Sequence, residues 1–83
     1  MHESAEHSLI IASPPVRPCL FRGEAVHFYI VQALQPLWVK TPYALYPMLR
    51  DEAITVYMPN CNGTYHVDFF CGEEKLGYTF VVG

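Results

Sequence analysis

The sequence predicts an all-β fold, a small antiparallel β-sandwich of five to seven short strands. Three observations predict it. Apolar and polar residues alternate with a period of two through most of the chain, as in strands with one buried face. Clusters of Gly, Pro and Asn interrupt these runs at intervals of roughly 8–12 residues, the spacing of all-β domains. No stretch sustains a helical period, and the longest uninterrupted apolar runs, such as Leu9–Ala12 and Phe28–Val31, are only four residues long.

Taken in chain order, residues 1–8 are polar and read as a flexible tail, leaving 9–83 as one sandwich domain, whole or part of a longer chain. Leu9-Ile10-Ile11-Ala12 is a short first strand. Pro14, Pro15 and Pro18 then fix φ and remove ladder donors, which makes Ser13–Pro18 a stiff connection or edge segment. Pro15 and Pro18 also have the PxxP spacing of a groove ligand, but a rigid linker accounts for them in full. The strongest strand signal follows, Ala25 to Leu34, with Val26, Phe28, Ile30 and Leu34 on one face and His27, Tyr29, Val31 and Ala33 on the other. Because that second face is only half polar, this strand is expected to be central or covered on both sides.

Leu37–Lys40 reads as a short strand. From Thr41 to Glu52 the pattern weakens and Pro47 bars a regular helix, so a loop with one helical turn is expected there. Ala53–Met58 alternates Ile54, Val56 and Met58 against Thr55 and Tyr57. Pro59–Gly63 is a turn, with Asn62-Gly63 its strongest signal. Thr64–Cys71 directs Tyr65, Val67, Phe69 and Cys71 inward, Gly72–Lys75 turns, and Leu76–Val82 returns, giving a three-strand meander.

Composition narrows the functional classes. An 83-residue chain has room for one core and buries only about 60–65% of its unfolded surface. With 52% hydrophobic and 16% charged residues, against a usual charged share of about 25%, it has more apolar surface than such a core needs. An exposed apolar face or strand edge meeting another protein or a neighbouring domain is expected. Five cations against a net charge of −3 make no basic stripe for phosphates, which argues against nucleic acid. Nothing approaches the roughly 20 apolar residues of a membrane helix, and the N-terminus lacks the order of a secretion signal. Cys19, Cys61 and Cys71 are an odd number, so a disulfide framework is not expected. Reduced, buried thiols are, which favours a cytoplasmic over an extracellular setting.

Asn62–Phe69 followed by Gly77–Val82 resembles the closing F and G strands of immunoglobulin-like domains of the filamin or early-set type, and Arg22–Ile30 looks like their B strand. The antibody-type cysteine pair packed on a Trp has no counterpart, since Trp38 follows the candidate B strand and no cysteine lies within it. The resemblance implies a non-catalytic module that binds other proteins, in some cases by adding a partner strand to an exposed edge.

Candidate chemistry is sparse. His2 and His7 are five apart, whereas a metalloprotease helix needs two histidines four apart on one face. His66 and Asp68 share the outward face of a strand, and His27 lies beside Tyr29, but a solvated strand face or a hydrogen-bonded structural histidine explains each. Cys19 or Cys71 as a nucleophile would need a thiolate-stabilising cation that the pattern does not supply. No nucleophile, base and oxyanion donor assemble, so no enzyme activity, catalytic residue, metal or cofactor is expected. Asn62-Gly63-Thr64 is a formal glycosylation acceptor that turn chemistry also explains. Tyrosines and a Trp are frequent at interfaces, and Trp38, Tyr43 and Tyr46, in the irregular middle, are the candidate partner contacts. Two classes follow. The first is an interaction or scaffold module within a larger protein or complex. The second is a secreted or cell-surface domain that recognises a protein or carbohydrate and carries a glycan on Asn62.

Overall fold

The computed structural model describes residues 8–12, 17–48 and 53–83. Among them are seven strands: β1 Leu9–Ala12, β2 Ala25–Ala33, β3 Leu37–Lys40, β4 Leu45–Met48, β5 Ala53–Tyr57, β6 Gly63–Cys71 and β7 Glu74–Val82. They form a β-sandwich of a three-stranded sheet, β1-β2-β5, and a four-stranded sheet, β4-β3-β6-β7, with every pairing antiparallel. Period-two alternation sends Val26, Phe28 and Ile30 of β2, Leu37 and Val39 of β3, Val56 of β5 and Val67, Phe69 and Cys71 of β6 into one core. At its centre the Phe28 ring lies 5.1 Å from Phe69 and 5.1 Å from Tyr78, in tilted and edge-on contacts that join the sheets.

Four expectations change against this frame. The inward face of β2 does not run on to Leu34. Ile10 pairs with Gln32 but Ile11 with Ile30, so Val31 is an extra residue in the ladder. Such a bulge reverses the alternation beyond it, which buries Ala33 at 2% exposure and leaves Leu34 at 48%. β2 is central, as expected, but His27, Tyr29 and Val31 on its outer face are exposed.

The expected loop with a helical turn contains an edge strand instead, β4, in which Pro47 lies opposite Trp38. A proline is tolerated there because an edge strand pairs on one side only. Leu49–Glu52 lie outside the described residues, as do Ser13–Val16 and the His2/His7 cluster.

There is no three-strand meander. β5 pairs with β2, and residues 58–62 carry the chain across to the other sheet, so only β6 and β7 form a hairpin. Met58 extends the alternation of β5 into the core at 1% exposure, and its N–H donates to Glu24 O at 2.8 Å. The Asn-Gly signal therefore marks a crossing between sheets. The hairpin is set by Gly72, whose φ of +62° lies in the left-handed region.

The thiols are unpaired, but only Cys71 is buried, whereas Cys19 and Cys61 are exposed. Cys71 donates to Gln35 O at 3.4 Å. Ser8, at the end of the polar tail, is tied in, with its N–H donating to Glu74 Oε1 at 2.9 Å and its carbonyl accepting from Leu34.

The ends of the two sheets are joined around residues 17–24. Leu20 makes a parallel bridge to Val82, donating to Val81 O and accepting from Gly83 N. The Glu24 carboxylate accepts from Phe21 N at 2.9 Å and pairs with Arg17, whose guanidinium lies 5.3 Å from the Phe21 ring centre. The Phe21 N–H first, and then the Arg17 charge, hold the Glu24 carboxyl below its ordinary range.

Candidate functional site

Residues opposite one another in an antiparallel ladder share a face, so the register gives the outer surface of the four-stranded sheet in rows. Pro47, Trp38, Phe70 and Lys75 form one row across β4, β3, β6 and β7. Leu45, Lys40, Asp68 and Gly77 form the next. Trp38 is 43% exposed, and the Lys75 ammonium lies 5.8 Å from the Phe70 ring centre, within the range of a cation–π contact.

Beside these rows a cleft of about 480 Å³ opens where β3 turns into β4. Thr41 builds the turn: its hydroxyl accepts from Tyr43 N at 3.1 Å and Ala44 N at 3.2 Å, and its own N–H donates to Ala44 O at 2.8 Å. This side-chain turn fixes Tyr43, 64% exposed, in the cleft wall with Pro42. Pro59 and Tyr65 contribute to the wall as well, and the Tyr65 hydroxyl braces the crossing loop by donating to Cys61 O at 2.9 Å. The polar lining is Lys40, Thr64, His66 and Asp68. Lys40 and Asp68 are cross-strand partners, yet the ion pair among the described residues is Arg17–Glu24 and not theirs. The Asp68 carboxylate leans the other way, over Gly77, where an added Cβ would come within 2.7 Å of Oδ1. The cleft thus presents a separated ammonium and carboxylate between aromatic and proline walls, a donor and acceptor set suited to binding.

The structure does not bring the three candidate contact residues to one surface. Trp38 faces outward and Tyr43 lies in the β3–β4 turn, but Tyr46 pairs with Val39 and so lies on the core side of the sheet. There it borders a shallow depression with Met48 and Ile54, and burial pushes its phenol pKa up. Phe70 and Lys40 belong to the outer surface and were not singled out from sequence. The signal was present, since Phe70 continues the outward phase of Thr64, His66 and Asp68. Asn62 is exposed in the crossing loop, two residues before Thr64 in the cleft wall.

His27 and His66, the histidines among the described residues, have matching environments on opposite outer faces. His27 Nδ1 lies 2.9 Å from Thr55 Oγ1 and His66 Nδ1 lies 3.1 Å from Thr79 Oγ1, each across one strand pair. Cys19 Sγ donates toward the Gly83 carbonyl at 3.4 Å, a contact that does not stabilise a thiolate. Among the described residues no three His, Cys, Asp or Glu side chains cluster as metal ligands, and no helix is long and apolar enough to cross a membrane. Comparison of the chain with protein-family models, curated proteins and solved structures returns no match.

Proposed function

We propose that this chain is a non-catalytic interaction module, an immunoglobulin-like sandwich that binds another protein through the outer face of its four-stranded sheet. The observation that carries the reading is the Pro47–Trp38–Phe70–Lys75 row beside the Tyr43 cleft. It combines aromatic area, which is enriched at interface centres, with charge at its margin, as in an interface rim. The immunoglobulin-like assignment is supported by the strand order, in which β4 extends the sheet that holds the closing β6–β7 hairpin.

The test is recovery of the chain with its bound proteins from its native source, comparing wild type with Trp38→Ala and with Tyr57→Ala on the opposite face. Loss of a specific partner with Trp38→Ala alone supports the reading. Equal retention by both variants sinks it.

The exposure of Asn62 beside the cleft favours a second reading, a secreted or cell-surface recognition domain glycosylated there. Intact mass of the native protein separates the two: a glycan on Asn62 favours the second, and unmodified Asn62 with three titratable thiols the first.

A further inference from the structure

We infer that two copies of this chain associate through β7, edge to edge and antiparallel, joining their four-stranded sheets into one. This goes beyond the binding face proposed above and uses a different surface.

The hairpin fixes which backbone groups are free. Cys71 and Glu74 flank a two-residue turn and pair across it, so Glu74, Leu76, Tyr78, Phe80 and Val82 direct their N–H and C=O groups toward β6. Lys75, Gly77, Thr79 and Val81 direct theirs to the open side. The Leu20 bridge confirms the parity, because Leu20 N–H bonds Val81 O and Gly83 N–H bonds Leu20 O. Among the described residues Leu20 occupies only that end, leaving Lys75, Gly77 and Thr79 with edge groups that pair with none of them.

Edges of this kind template strand addition unless guarded. β4 is four residues long and contains Pro47, β1 is four residues long and faces a bulge in β2, and β5 has only five residues. β7 has nine, in unbroken register, with no proline. Its one cation on the outer side, Lys75, is folded back over the Phe70 ring and does not protect the edge. Pro18, two residues before Leu20 and in the same phase, lacks the N–H group that a strand sealing this edge would donate.

A second copy is the occupant because the edge is complementary to itself. Antiparallel pairing centred on Gly77 opposite Gly77 of the other copy places Lys75 opposite Thr79 and Leu76 opposite Tyr78. Three edge pairs form, exchanging about six hydrogen bonds. No like charges on β7 itself face each other, the Asp68 carboxylates that lean over the two Gly77 residues being the like-charged pair brought near the axis, and the half-buried Leu76, Tyr78 and Phe80 at the margin of the core gain apolar cover.

Sedimentation of the full 83-residue chain across a wide concentration range tests this, together with amide exchange at low and high concentration. The expected result is a reversible dimer in which the Lys75, Gly77 and Thr79 amides become protected as concentration rises. Thr79→Pro removes an edge donor without removing a backbone bond to β6, although it also removes the Thr79 hydroxyl beside His66, and is expected to weaken dimerisation about tenfold or more. A chain that stays monomeric to millimolar concentration overturns the proposal. So does a dimer whose protection appears on the β1 or β5 edge. Because the exchange pattern is read on the wild type, the test holds even if Thr79→Pro does not fold.

Discussion

The two sheets share one core but present very different outer surfaces. The three strands of the smaller sheet contain no Asp, Glu, Lys or Arg, and its outer face shows Ile10, His27, Tyr29, Val31, Thr55 and Tyr57. The larger sheet interleaves Lys40, Asp68 and Lys75 with Trp38 and Phe70 and borders the cleft. The smaller sheet is irregular, with a bulge and two short edges, while the larger is anchored by a nine-residue hairpin in unbroken register. Apolar exposure is therefore common to both outer faces. What distinguishes the larger sheet is the combination of aromatic area, separated charges and a concave border.

The largest effect is expected where the two sheets cease to differ, at their shared core. Phe28→Ala removes the ring that touches Phe69, Tyr78 and Phe80 from the opposite sheet. It should cost about 3–5 kcal/mol, a large part of the roughly 5–15 kcal/mol available to a domain. Denaturant unfolding checks this, and a loss below about 1 kcal/mol would mean that the sheets are stabilised separately. On the outer faces, Trp38→Ala and Tyr57→Ala should each change stability by about 1 kcal/mol or less, since surface substitutions usually do. The comparison of faces then rests on binding, where only Trp38→Ala is expected to matter.

A second contrast in stability bears on the irregular sheet. Leu34→Ser should be nearly neutral, within about 0.5 kcal/mol, whereas Ala33→Asp buries an unpaired carboxylate and should cost several kcal/mol. Reversed magnitudes in urea unfolding would show that β2 runs without its bulge.

The same position shows how much was legible in the sequence. Strands β1, β3, β6 and β7, most of β2 and the burial of Val67, Phe69 and Cys71 follow from alternation, because a half-buried strand has no other consistent pattern. The bulge does not follow, since Val31 looks like any outward valine and its extra place exists only relative to β1. β4 was hidden because Pro47 argues against a strand until its edge position is known. The sheet change after β5 was hidden because Asn-Gly favours a hairpin locally, while the pairing of β5 with β2 is a long-range choice. Trp38 and Tyr46 were grouped together, although the register, with Trp38 opposite Pro47 and Tyr46 opposite Val39, puts them on opposite faces. Of the site, Trp38 and Tyr43 were legible as exposed aromatics, but the cleft depends on the Thr41 turn meeting the crossing loop.

The smallest effect concerns the residues that tie the two sheets together at one end. Glu24 accepts from Phe21 N–H beside Leu20, which bridges to β7, while the Glu24 carbonyl accepts from Met58 at the end of β5. Its carboxyl is held below the ordinary value of 4.5 by the Phe21 N–H and by Arg17. A depressed folded-state pKa means that the unfolded chain binds the proton more readily. The stabilisation is therefore fully present above the unfolded value and is lost as pH falls through the lower folded value. Glu24→Gln should remove that part of the acid sensitivity, with little change near neutrality beyond the loss of the Arg17 pair, which is exposed and weak. Thermal melts of both proteins from pH 7 downward in low and high salt check this. If the two curves stay parallel into acid, Glu24 does not couple the sheet junction to pH.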